Sequence, residues 1–227
     1  MCGGRGPRDS CGCSGASPEL RAALCLGGAG DYSYLACGAA ALIEGVDDAD
    51  DFALVGRAME TVGISRDTQA HMWRLLGAIL HMGNVRFDEV AEANKDPVSH
   101  VAGGSRGAVE LAARLFGAPA LERKLCERVV SVKGRKSFVT VPLSAREAAA
   151  SRDSLAKFVY EHMFSWLIEQ CNQTLATSAP SSAFIGILDI FGFEIFEQNS
   201  FEQLCINYAN EKLQVHSRAR AWRYAFL

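Results

Sequence analysis

No run of about eighteen apolar residues occurs in this 227-residue chain, so no membrane-spanning helix is expected. The opening Met-Cys-Gly-Gly-Arg-Gly-Pro-Arg-Asp-Ser lacks the apolar stretch of a secretory signal. Charge of one sign is not in excess. A net charge of −3 gives no basic field for nucleic acid or a membrane surface. Eight cysteines are present, yet only Cys11 and Cys13 stand close together, and they lack the spacing of a zinc site. Cys25, Cys37, Cys126, Cys171 and Cys205 are scattered through apolar segments, as buried free thiols are. A reduced, cytosolic protein is the expectation. His71, His81, His100 and His162 form no cluster at ligand spacing, and His81 near a helix end suggests a charge–dipole role. The phosphate cradle Gly-x-x-x-x-Gly-Lys-(Ser/Thr) occurs nowhere. The nearest fragment, Gly134-Arg-Lys-Ser137, lacks the first glycine and the Gly-Lys pair.

What is present is a chain 49% apolar, enough for one sizeable core or a piece of a larger domain. No internal repeat is visible. Residues 1–19, rich in Gly, Ser, Cys and Arg, read as disordered, and Glu92–Arg106 reads as a surface loop. Helices are predicted over Asp50–Val62 and from Ser65, where Met72, Leu75, Leu76, Ile79 and Leu80 recur at spacings of three and four until Gly83-Asn84. Val85-Arg86-Phe87 alternates like a short strand. Ser105–Phe116 is helical and closed by Gly117, and Pro119 opens another helix to about Glu127. Val129–Val132, the turn Lys133-Gly-Arg135 and Ser137–Val141 read as a hairpin. Ser144-Ala-Arg-Glu147 is a capping box that starts the longest helix, to about Leu175. Its expected buried side is Leu155, Phe158, Val159, Met163, Trp166 and Leu167, and Trp73 and Trp166 read as core or groove aromatics.

Residues 184–214 are the most informative. Ala183–Asp189 is nearly all apolar, as a strand covered on both faces is. It ends on Asp189, a carboxylate held where it suits a Mg2+ ion, directly or through water. Gly192 has no side chain, so its amide can approach a phosphate oxygen and its backbone can swing when that oxygen leaves. Glu194 can form an ion pair that latches such a loop. Ser200-Phe-Glu-Gln203 is a second capping box, and its helix carries Leu204, Cys205, Tyr208 and Leu213 on one side. The local chemistry also permits a plainer reading, in which the strand-end Asp merely caps a helix.

The run Asp189–Gln214 resembles the second switch and relay helix of the myosin motor domain. Asp31-Tyr-Ser-Tyr-Leu35, Ile43–Ala49, Gly63-Ile-Ser65, Ala78–Phe87 and Arg152-Asp-Ser-Leu-Ala-Lys157 follow in the family's order, so the likeness spans roughly residues 31–214. It implies a mixed α/β, predominantly helical fold: a piece of a P-loop NTPase-type motor domain lacking most of its central sheet. Its implied bounds are a disordered 1–19, a partial motor over 20–214 and a non-family tail over 215–227. By this resemblance ATP and Mg2+ are the cofactors of the complete motor. Asp189 would act near the Mg2+ shell, Gly192 would donate its amide to the γ-phosphate, and Glu194 would pair with an arginine of the first switch. Asn199, Ser200 and Phe201 would form the entry to the relay helix. Phe191 stands where the family usually has a small residue. Ser137 lies sixteen residues before Asp153, at a position that is acidic or phosphorylatable in the family's actin-binding loop. Lys133, Arg135 and Lys136 precede it and suit a basophilic kinase. A phosphate there would add a charge of about −1.5 to −2. The plainer reading is an ordinary loop serine beside solvated lysines.

In the family the phosphate cradle and first switch lie upstream of the matched region. Without them no lysine neutralises the phosphates, Glu194 has no arginine partner, and the strand at Ala183–Asp189 has unpaired edges that invite aggregation. Residues 215–227 leave the family's pattern, and both ends read as edges of a partial or mispredicted gene product. The resemblance therefore implies a fragment of an actin-based, ATP-driven motor of the cytoplasmic cytoskeleton, inactive alone. Its partner is the actin filament, with light chains only if a lever exists elsewhere in the gene. The alternatives are a non-catalytic actin-binding module or truncated product, and a regulatory domain of another nucleotidase.

Overall fold

The computed structural model describes residues 15–35, 47–90, 97–131, 138–176, 190 and 192–224. They divide into two compact units, within residues 1–176 and within 177–227.

In the first unit, Ser17 accepts the Leu20 amide and Pro18 sets the first turn of α1 (Pro18–Leu24), which closes on Cys25 at φ 52°. Pro18 and Glu19, expected to be disordered, thus stand in a helix. Asp47 accepts the Ala49 amide and opens α2 (Asp48–Thr61), whose acidic first turn suits the helix dipole. Ser65 caps α3 (Arg66–Gly83), which packs against α1, α2 and the helices at Arg106–Phe116 and Ala145–Leu175.

β1 (Phe87–Val90) pairs antiparallel with β2 (Val98–Val101). A strand and the 3-10 turn Gly103–Ser105 therefore stand inside the stretch expected as loop. The signal was the alternation in Val98-Ser-His-Val101, where Ser99 and Val101 are buried and Val98 and His100 are exposed. α4 (Arg106–Phe116) ends at Gly117, whose φ of 68° is a conformation glycine adopts without strain. α5 (Leu121–Cys126) leads into β3 (Glu127–Ser131), which pairs with β4 (Phe138–Pro142).

The 31-residue α6 (Ala145–Leu175) opens on the complete Ser144–Glu147 capping box. Glu89 Oε2 accepts the Ala145 amide at 2.8 Å, a tertiary contribution to the same cap. Ile79, Met82, Val85, Val101, Val109, Ala112, Leu121, Leu125 and Ala156 form the main core. Leu155 and Val159 pack against it, whereas Met163, Trp166 and Leu167 pack on a second cluster built on Met59, Ile64 and Met72. Trp73 joins that second cluster as well. Phe158, predicted on the buried side, is 56% exposed, because α6 turns a different face to each cluster.

His81 also departs from expectation. It is buried, its Nε2 lies 2.9 Å from the Leu24 carbonyl, and burial pushes its pKa down. A neutral imidazole bonded to a carbonyl replaces the expected charge–dipole contact. The described cysteines are free, but Cys25 and Cys205 are exposed rather than buried. Cys25 occupies the left-handed cap of α1, and α7 buries no face around Cys205.

The second unit is α7 (Phe201–Tyr224) with the segment that precedes it. Among the described residues no helix is long and apolar enough to cross a membrane. The expected strand at Ala183–Asp189 lies outside the described residues.

Candidate functional site

The residues predicted to carry chemistry fall in two places. Lys133, Arg135, Lys136 and Ser137 lie outside the described residues, between β3 and β4. Those strands form a ribbon with exposed Val129, Val130, Phe138 and Val139. Asp189 and Phe191 are likewise outside. Gly192, Glu194, Asn199, Ser200 and Phe201 are described and lie together on the approach to α7.

Residues 192–200 form neither helix nor strand, so their backbone groups need other partners. Side-chain amides supply them. Asn207 pairs with Glu194 through both ends of its carboxamide: Oδ1 accepts the Glu194 N–H at 2.8 Å and Nδ2 donates to the Glu194 carbonyl at 2.9 Å. Asn210 Nδ2 donates to the Gly192 carbonyl at 3.3 Å. Asn199 repeats the two-ended pattern on Phe196, at 3.0 and 2.8 Å. A side-chain amide used this way mimics a neighbouring strand's backbone.

The helix entry is joined to the same loop. Gln203 Oε1 accepts the Ser200 N–H at 2.8 Å and lies 2.7 Å from Ser200 Oγ, while Nε2 lies 3.4 Å from Glu194 Oε2. Ser200 Oγ also reaches the Glu202 carboxylate. The capping box expected at Ser200–Gln203 is present in its return half, side chain to cap N–H. Phe201 is 75% exposed. A Cβ built on Gly192 meets no atom within 4 Å, and its φ is not left-handed. Packing among the described residues therefore does not demand glycine there.

Sequence reasoning named Gly192, Glu194 and the helix entry with Gln203 in its capping box, but missed Asn207 and Asn210 as holders of the loop and the reach of Gln203 to Glu194. The available signal was an unpaired loop followed by amide side chains at helical spacing. Among the described residues no three His, Cys, Asp or Glu side chains gather as metal ligands.

The family model for the myosin head (motor domain) matches residues 12–220. The chain belongs to the myosin motor-domain family. Myosin-I heavy chain of Dictyostelium discoideum is 38% identical over 203 residues, covering 89% of this chain and 8% of that protein. Myosin-1 of Mycosarcoma maydis is 42% identical over 191 residues, or 81% of this chain and 14% of the relative. Myosin-15 of Arabidopsis thaliana is 44% identical over 180 residues, or 77% and 11%. The chain thus spans between 8% and 18% of the length of the curated relatives it matches. Its helix-rich fold with small antiparallel sheets fits a portion of a motor domain.

Proposed function

We propose that this chain is part of an actin-based, ATP-driven motor of P-loop NTPase type, with most of the central sheet outside it. In this reading the Gly192–Glu194 loop is the second-switch phosphate sensor and α7 is the relay that carries its movement. One observation carries the reading: Asn207 and Asn210 hold the backbone of that loop, so the loop and α7 move as one body. Bound MgATP supplies the phosphoanhydride whose hydrolysis drives such a motor. Gly192 would meet its terminal phosphate, the space where a Cβ would stand being open among the described residues. Asp189 would stand near the Mg2+ shell, probed only in a complete motor. Glu194 would latch the closed loop onto a cation supplied from outside the chain. In phosphoryl transfer of this kind the protein chiefly positions groups and stabilises charge.

The β3–β4 ribbon is the proposed actin-binding face of a cytoskeletal, cytoplasmic motor, with Lys133, Arg135 and Lys136 facing acidic actin and Ser137 as a phosphorylation switch. Its exposed valines and Phe138 supply apolar contact area. Actin co-sedimentation of Ser137→Ala and Ser137→Glu in a complete motor is expected to give different affinities, and equal affinities end that part of the reading.

The test of the motor assignment is a chimera. Residues 31–214 replace the matching segment of the Mycosarcoma maydis relative, and actin-activated ATP turnover is measured. Turnover within about tenfold of the parent supports the reading, and its loss in a folded chimera refutes it. The missing phosphate cradle favours a second reading for residues 1–227 alone, a non-catalytic actin-binding module. Purified chain is accordingly expected to show no ATP turnover.

A further inference from the structure

We propose that Gln203 is a positioning residue that sets the orientation of the Glu194 carboxylate. The proposal rests on the reading of Glu194 as the latch of the loop.

A carboxamide has one accepting and one donating end. The accepting end of Gln203 is fixed by the helix: Oε1 takes the Ser200 N–H at 2.8 Å and sits 2.7 Å from the Ser200 hydroxyl. Turning the amide over would set an NH2 group against that N–H. The helix cap therefore fixes the direction of the donating end. Nε2 is left 3.4 Å from Glu194 Oε2. Asn207 already holds both backbone groups of Glu194, so the remaining freedom is in the side-chain torsions. Gln203 restricts those torsions and presents the carboxylate in one pose. Ser200, Gln203 and Glu194 thus form a line from the first turn of α7 to the latch, and a change at the helix entry reaches the latch without passing through the backbone.

The two ends of Gln203 can be separated experimentally. Gln203→Glu keeps an oxygen to accept the Ser200 N–H, so the cap survives, but it cannot donate to Glu194 and repels it. Gln203→Met keeps the length and loses both ends. In the chimeric motor, Gln203→Glu is expected to leave the melting temperature unchanged or raised while kcat falls about tenfold with KM for ATP unchanged, the scale on which misplaced groups act. Gln203→Met is expected to lower both kcat and the melting temperature. In residues 1–227, Glu194→Ala is expected to move the Gln203 side-chain amide resonances in an NMR spectrum. Unchanged kcat in Gln203→Glu, or Gln203 resonances indifferent to Glu194→Ala, overturns the proposal. A chimera without turnover before any substitution instead removes the motor reading itself, and the proposal with it.

Discussion

Asp153→Ala tests how the first unit is held together. Arg152 is buried in the core, with its side chain 8% exposed, while Asp153 is 41% exposed. The guanidinium bonds Asp153 Oδ1 through Nε at 2.8 Å and Nη2 at 2.7 Å, and the Val85 carbonyl through Nη1. The same Asp153 oxygen accepts the Tyr34 hydroxyl at 2.6 Å. The Arg152–Asp153 pair thus links the segment before residue 36, Val85 just beyond α3, and the first third of α6. Removing it leaves a buried cation without its counter-charge and a phenol without its acceptor. Breaking a fully buried pair costs about 3–5 kcal/mol. Water reaches Asp153, so the discounted figure here is about 2 kcal/mol. The lost phenol bond adds about 1 kcal/mol. A total of about 3 kcal/mol lowers the melting temperature of a domain this size by roughly 6–12 °C, measurable by near-ultraviolet circular dichroism. Adding Arg152→Met removes the stranded charge, so the double variant is expected to be more stable than Asp153→Ala alone. A loss under about 1 kcal/mol, or strictly additive behaviour, refutes the argument, because either result means that water already screens the pair.

Other consequences are as direct. Burial favours neutral His81 in the folded state, so its contribution to stability is complete above an unfolded pKa of about 6.5 and is lost as pH falls through the lower folded value. Thermal melts from pH 7.5 to 5 are expected to show a decline of at most about 1.4 kcal/mol per pH unit from this group, flattened in His81→Gln. Gly83→Ala gains about 1 kcal/mol of helix propensity, but its Cβ would meet the Tyr34 ring at 2.6, 2.8 and 2.9 Å. The ring must shift off Asp153, so net destabilisation by about 1–2 kcal/mol is expected in denaturant melts. Buried Gln69 donates to the Gly56 and Ile64 carbonyls at 3.3 and 3.2 Å, and Gln69→Leu is expected to cost about 1–3 kcal/mol by stranding them. Asn207→Leu removes two bonds to Glu194. Amide exchange at Glu194 in the full chain is expected to accelerate about tenfold, and an unchanged rate contradicts the clamp.

The elements legible in the sequence were those whose signals are local. Ser65, Ser144 and Gly117 each declare a helix boundary within four residues of themselves, and the boundaries of α3, α4 and α6 follow. The β3–β4 hairpin was legible because its turn residues stand between two runs of β-branched residues. β2 was not, because a four-residue strand beside Asn, Asp, Pro and paired glycines is outweighed by its neighbours and is held by distant partners, β1 and the Leu143 carbonyl. His81 and Phe158 failed for a related reason: periodicity says which residues share a face, not what that face meets. The carbonyl that receives His81 comes from Leu24, 57 positions away.

The loop at Gly192–Glu194 shows the same limit at the place where function is proposed. Its named residues carry their chemistry in their own side chains or in the lack of one, so they could be identified singly. The residues that hold the loop's backbone were hidden because Asn207 and Asn210, three positions apart, look like the solvated face of a helix. Asn207 and Asn210 are instead backbone partners for a stretch that pairs with no strand among the described residues, and Gln203 ties the helix cap to the Glu194 carboxylate. Backbone groups of a coil segment must be satisfied by something. When a polar helix face follows such a segment within a few residues, the face itself is the first place to look. On that argument the polar face and the loop are one element. Substitutions at Asn207 and Asn210 therefore act through the loop's backbone, and those at Gln203 through the Glu194 side chain.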